Sequence, residues 1–199
     1  MMDFQTQIAG HNLEYIDDGH LYLVDGVLVK SITQMLKYRF GSMYNAVSEK
    51  TLQTAAEKGT AVHEAIEMYC VTGQDDRTLK ELQNFKFLMK KYNFEVIRNE
   101  VPVILFDGEE PIAAGRLDMV LRKGGIIGGA DVKRTSQLYK DYVTFQLNLY
   151  RIAYRQCYGV EWDFLRVIHL REDVRRYVTI PIIEDETWQF IRDYEEAIR

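Results

Sequence analysis

Apolar and polar residues change their repeat several times along the chain, and each change marks an element. Leu13–Asp17 and Leu21–Asp25 flank Asp18-Gly19-His20, which predicts a short β-hairpin followed by a turn at Asp25-Gly26. Ser31 with Gln34 three residues on is a capping-box pattern and predicts the start of a short helix. Ala46 to about Cys70 is rich in Ala, Glu, Lys and Gln and predicts a helix, interrupted or restarted near Gly59. Leu82, Phe85, Leu88, Met89 and Tyr92 recur at helical spacing, so Leu79–Tyr92 is predicted to be an amphipathic helix. The period then shortens. Glu95–Phe106, Ile112–Arg122 and Ile126–Lys133 read as three successive strands, separated by Asp107-Gly108 and Gly124-Gly125. Leu138–Tyr158 returns to helical spacing, Trp162–Leu170 and Tyr177–Ile183 read as strands, and Glu184–Ile198 as a closing helix. The order predicts an α/β fold: a mixed central sheet with an antiparallel three-strand meander, flanked by helices. Residues 1–199 are expected to form a single domain, with residues 1–45 as a hairpin and helix packed on the core.

Composition narrows the function classes. The chain is 47% hydrophobic and 28% charged, enough apolar residues for a core and too many for a disordered chain. Its uncharged apolar runs, such as Val101–Phe106, fall far short of the roughly 20 residues a membrane helix needs. Met1–Gly10 carries neither a basic start nor a long apolar stretch, so no secretory leader is expected and the protein is expected in the cytoplasm. Two cysteines, Cys70 and Cys157, are too few for a disulfide framework or a four-cysteine zinc or iron–sulfur site. The net charge of −5 argues against a passive DNA-coating protein but does not exclude an enzyme that meets phosphate locally through metal ions, since the carboxylates of a metal site lower the pI.

The chemistry concentrates in one predicted hairpin, Gly115-Arg116-Leu117-Asp118-Met119-Val120 … Gly124-Gly125 … Ala130-Asp131-Val132-Lys133. A two-residue turn at Gly124-Gly125 would set Asp118 opposite Asp131 and Arg116 opposite Lys133. Opposed side chains lie roughly 4.5–5.5 Å apart at Cβ on one face of the sheet. Two carboxylates at that distance repel unless a cation lies between them, and hard oxygen ligands suit Mg²⁺ or Mn²⁺. Lys133 would project from the same face, able to hold an attacking water and offset charge on a phosphorane-like transition state. The arrangement fits metal-assisted hydrolysis of a phosphodiester. A bare glycine-turn hairpin with solvated polar residues is the competing reading, disfavoured by the opposed Asp118 and by apolar Leu117, Met119, Ala130 and Val132 on the other face.

These residues resemble the PD-(D/E)XK nuclease superfamily, in particular its RecB-type and lambda-exonuclease-like phage branch. The resemblance is carried by Asp118 in Gly-Arg-Leu-Asp, by Asp131-Val132-Lys133 (the only Asp/Glu-x-Lys in the chain), by Gln146-Leu147-Asn148-Leu149-Tyr150, and by Gly59-Thr60-Ala61-Val62-His63. It covers about residues 20 to 155. The resemblance implies a restriction-endonuclease-like core and a Mg²⁺ or Mn²⁺ ion held by His63, Asp118, Asp131 and the Val132 carbonyl. It implies Lys133 as the catalytic lysine and Gln146 near the metal water or scissile phosphate, with Asp118 and Asp131 part of the catalytic set. Tyr150 and Glu100 are accessory candidates, each about equally well read as a core tyrosine and a solvated strand glutamate. Arg116, Arg134 and Arg151 are candidates for phosphate contact.

The expected activity is a stand-alone deoxyribonuclease, an exonuclease of phage or prophage recombination or repair, acting on linear DNA ends, duplex or single-stranded. A phage recombinase or a single-strand-binding protein would be a fitting protein partner, no membrane is expected, and assembly into a homo-oligomer stays open. The alternative is a catalytically decayed nuclease fold retained as a DNA-binding or regulatory module. With no Gly-Lys-Ser/Thr phosphate loop in the sequence, ATP-driven unwinding is not expected.

Overall fold

The computed structural model describes residues 3–41 and 49–198. Tight turns fold the N-terminal stretch into a meander of β1 (Phe4–Ile8), β2 (His11–Ile16), β3 (Leu21–Val24) and β4 (Val27–Ser31). The predicted hairpin is β2–β3, with Tyr15 opposite Tyr22 and Leu13 opposite Val24. Asp25 and Gly26 both take positive φ, as a two-residue turn between twisted strands requires. Strands β1 and β4 were not anticipated. Phe4-Gln-Thr-Gln-Ile8 is largely polar, and β4 is short and mostly exposed, so neither carries a strong alternating signal.

Ser31 ends β4 and caps α1 (Ile32–Phe40). Its hydroxyl accepts from the Gln34 amide at 3.0 Å, and the Gln34 side-chain oxygen accepts from the Ser31 amide at 2.9 Å. The predicted capping box is therefore formed, an arrangement worth about 1 kcal/mol. The next helix, α2 (Glu49–Thr72), runs through Gly59 without a break, because flanking apolar residues such as Val62 and Ile66 are held in the core. The start of the expected segment, residues 46–48, lies outside the described residues. Then α3 (Lys80–Tyr92) buries Leu82, Phe85 and Leu88 along one stripe, each worth roughly 1.5–3 kcal/mol on full burial.

The three predicted strands follow as β5 (Glu95–Asp107), β6 (Glu110–Lys123) and β7 (Ile126–Lys133), then α4 (Lys140–Tyr158), β8 (Phe164–Leu170), β9 (Arg175–Ile180) and α5 (Glu184–Ile198). Together they make a nine-stranded, mostly antiparallel sheet flanked by helices, a mixed α/β fold as expected. The parallel pairs are β4 with β6 and β7 with β8, the latter joined through α4. One side of the sheet packs against α1, α4 and α5, the other against α2 and α3. The N-terminal meander closes a third cluster with Ile104 and Phe106 of β5.

One feature of the sheet creates the site. A strand has two edges, and β5 occupies one edge of β6 over nearly its whole length. The other edge is shared: β4 takes Ala113 and Ala114, and β7 takes Met119 to Lys123. Residues 115–118 lie between these partners, where the strands splay. At the same level β7 leaves β6 after Ala130 but stays paired with β8 through Lys133 opposite His169. The close approach of β7 to the segment before β8 needs glycine: a Cβ on Gly129 would lie 2.0 Å from the Trp162 ring.

Candidate metal centre

The Gly124-Gly125 turn has positive φ at both residues and sets the predicted register, which holds as far as Met119 opposite Ala130. Asp118 and Asp131 occupy the next rung, where the ladder has already opened. There the Asp118 carboxylate replaces a backbone acceptor: its Oδ2 accepts from the Val132 amide at 2.6 Å. Asp118 is thereby fixed at the mouth of the splay. Arg116 does not face Lys133 as expected, because β6 and β7 have parted by that level; its Nε lies 2.7 Å from Glu100 Oε2 on β5.

Val62 and Ile66 anchor α2 against the sheet and turn His63 toward this opening. His63 Nε2 lies 3.0 Å from the Val132 carbonyl oxygen, and Nδ1 lies 3.6 Å from Asp118 Oδ2. If Nε2–H donates to that carbonyl, the Nδ1 lone pair of a neutral ring points at a carboxylate, so a proton or another cation belongs between them. Burial works against protonation of His63, but Asp118 and Asp131 outweigh it and hold the imidazole above its ordinary range.

Glu100 completes the cluster from β5. It sits across from Asp118, yet it drops out of the ladder between Asn99–Met119 and Val101–Leu117. Its φ of 47° is left-handed, a conformation costing a non-glycine residue about 1–2 kcal/mol. Ligand atoms of His63, Glu100 and Asp118 all lie within 4.8 Å of one another. Burial, then the Asp118 charge, push the Glu100 carboxyl upward, while Arg116 and His63 oppose the shift. The cleft they line also contains Glu67, one helical turn after His63. Sequence reading passed over Glu67, although its i, i+4 spacing from His63 would have placed it on the same helix face.

Asp131 is buried, and its partner is Lys133: the ammonium lies 2.9 Å from Oδ1 and 2.8 Å from Oδ2. Burial, then Asp118, raise the Asp131 carboxyl, partly countered by Lys133. For Lys133, burial favours the neutral amine, but Asp131 and Asp118 win and hold it as an ammonium well above its ordinary range. The structure therefore gathers His63, Asp118 and Glu100 closely, with Asp131 directed toward Lys133. The Val132 carbonyl, expected as a free ligand, already faces His63.

Gln146 and Tyr150 project from one face of α4, as their spacing predicts, and both are buried. The Gln146 Oε1 has no hydrogen-bond partner among the described residues, an unusual state for a buried amide. Tyr150 lies against Gly115, where a Cβ would come within 3.1 Å of the hydroxyl. Burial raises its phenol strongly, with Tyr22, Asp118 and Asp131 adding to the effect.

The expected arginine strip is corrected by the geometry. Arg151 is buried and paired with Glu161 at 2.6 Å and Glu184 at 2.8 Å, so it ties α4 to α5 rather than offering charge to phosphate. Arg134 lies 2.7 Å from buried Glu81, and Arg116 is engaged by Glu100. Each guanidinium is already neutralised by a carboxylate, and none is set out as an exposed phosphate ligand.

The carboxylates and the imidazole are a donor set suited to a hard divalent cation such as Mg²⁺ or Mn²⁺. No family model matches the chain, and no curated protein does. Among solved structures, the crystal structure of SSO0001 is similar at 14% identity, covering 85% of this chain and 76% of that one, with a TM-score of 0.47. No helix among the described residues is long and apolar enough to cross a membrane.

Proposed function

We propose that the protein is a divalent-metal-dependent deoxyribonuclease of the PD-(D/E)XK type, in which β5–β6–β7, α4 and β8 form a restriction-endonuclease-like core. The observation that carries this reading is the splayed rung. It brings Asp118 into one opening with His63 and Glu100, with the Asp131–Lys133 pair beside it. In this reading His63, Asp118 and Asp131 hold Mg²⁺ or Mn²⁺, with Glu100 at the edge. The ion, when bound, polarises a phosphate oxygen and lowers the pKa of a coordinated water.

The chain's own residues then divide the remaining work. Lys133 stays charged near neutral pH, so it serves as a donor and counter-charge for the pentacoordinate phosphate and not as a base. Gln146 offers a buried acceptor to orient the attacking water. The water oxygen bonds to phosphorus as the bond to the leaving sugar oxygen breaks; the water's proton passes to solvent, and the leaving oxygen takes up a proton from solvent. Acidic groups crowded without a cation repel, so the same geometry favours binding of the ion before the substrate phosphate.

The test is digestion of end-labelled linear DNA with Mn²⁺, beside the same sequence as RNA and beside Lys133→Ala. The reading expects metal-dependent cleavage of DNA that the lysine variant loses by at least about a hundredfold. Folded wild-type protein that leaves every DNA end intact would overturn it, and preferential cleavage of RNA would redirect it to ribonucleic substrates.

A further inference from the structure

Arg116, Arg134 and Arg151 are spent inside the molecule on carboxylates, but the face formed by α3 and β9, with the ends of β6 and β8 beside them, is different. Arg175 lies 3.8 Å from the centroid of the Phe87 ring, and Phe87 is exposed. Lys91 and Lys123 lie 5.3 and 5.8 Å from the Tyr92 ring, and Arg166 lies 5.3 Å from the Tyr177 ring. Tyr92 and Tyr177 themselves stack, with centroids 4.6 Å apart. Among the described residues none of these four cations has a carboxylate partner. Two acidic side chains on neighbouring elements, Glu95 and Glu172, lean instead on Arg122 and Arg134.

The result is four uncompensated positive charges on one face of a chain whose net charge is −5. The rings do more than fill space. They hold lysine and arginine stems in fixed positions without neutralising the heads, and so lower the ordering cost of binding an anion. A repeating anion is the natural complement of such a strip.

We propose that the α3–β9 face is a nucleic-acid contact surface that holds the phosphate backbone of the substrate on its way to the metal centre. The choice of nucleic acid over another polyanion rests on the nuclease reading. Placement agrees with it: α3 and α2, which carries His63, pack on the same side of the sheet. Lys123 and Asp118 lie on the same strand, about 17 Å apart along β6, a distance of a few nucleotides. Because ring faces are already covered by cations or by each other, the grip is on phosphates and is insensitive to base sequence.

Fluorescence anisotropy tests this with a labelled oligonucleotide, single-stranded and as a duplex, in Ca²⁺ over a series of salt concentrations. Wild type is compared with Lys123→Glu/Arg175→Glu, with each single variant, and with Arg77→Glu, a side chain 90% exposed in the turn that precedes α3. The double variant should bind at least about tenfold more weakly, and its log–log salt slope should fall by about 2, near 0.9 per lost phosphate contact. Arg77→Glu should change neither quantity, and melting curves should show all variants folded.

Equal binding by wild type and double variant overturns the proposal, as does an equal loss in Arg77→Glu or a wild type that binds no oligonucleotide. Failure of the nuclease reading looks different: patch-dependent binding would persist while no DNA is cut. The converse, cutting and binding both untouched by the double variant, would remove only the surface.

Discussion

Replacing Lys133 with Met isolates the electrostatic problem on which the site is built. The side chain of Lys133 is 21% exposed and that of Asp131 only 5%, so the substitution leaves a carboxylate almost without water and without its cation. Removing one partner of such a pair costs roughly 3–5 kcal/mol, because the remaining charge is uncompensated. Asp131 can escape by binding a proton, at about 1.4 kcal/mol for each pH unit above its pKa. Burial and Asp118 already raise that pKa in the wild type, and losing Lys133 raises it further.

The sign follows from proton binding. Between the unfolded carboxylate pKa near 4 and the raised folded value, the folded state binds more protons, so stability falls as pH rises through that window. Lys133 itself stays charged in both states until the pH nears about 10, so it adds no slope there. Urea unfolding of the variant should show a loss of roughly 3–5 kcal/mol at pH 8, shrinking to about 1–2 kcal/mol at pH 5. For a chain of this length the larger loss lowers the melting temperature by about 10 °C. Adding Asp131→Asn should recover most of the loss at pH 8. A Lys133→Met protein as stable as wild type, or equally destabilised at both pH values, would refute the reasoning.

Two further outcomes check the frame around the site. Gly129→Ala drives a methyl into the Trp162 ring and should cost at least about 1–3 kcal/mol, with a shifted Trp162 fluorescence maximum; unchanged melting would mean the β7–Trp162 packing is wrong. Hydrogen bonds from Arg155 and then Arg151 lower the Glu184 carboxyl to about 2, so its contribution is complete above about 4.5 and is lost as pH falls toward 2. Glu184→Gln should therefore flatten part of the acid-side decline in melting temperature, and an identical acid profile would deny the cluster that role.

Local chemistry and period made much of the fold readable. Ser31 and Gln34 announce a helix start within four residues, and Gly124-Gly125 sets the register that carries Asp118 and Asp131 to one rung. The Asp131–Lys133 pair was readable for the same reason, since two residues along a strand share a face. What was not readable depends on residues distant in sequence. Arg151 looked like a surface cation because its partners, Glu161 and Glu184, arrive from later segments. Glu100 could be placed on its strand, but nothing in the local sequence marks the left-handed backbone it adopts. Propensity alone suggests a break at Gly59, but the packing that holds α2 together overrides it. The family pattern implies the Val132 carbonyl as a ligand, but no local signal shows that His63, 69 residues away in sequence, rests against it.

The account depends on acids from separate strands sharing one ion, and Mn²⁺ located by anomalous scattering in crystals of the full chain tests this most directly. It predicts a strong peak at the β6–β7 splay, about 2.0–2.3 Å from oxygens of Asp118 and Asp131 and from a His63 nitrogen, with Lys133 drawn off Asp131. A peak bound elsewhere, or Asp118 and Asp131 still held to Val132 and Lys133 in saturating Mn²⁺ with nothing between them, would contradict it.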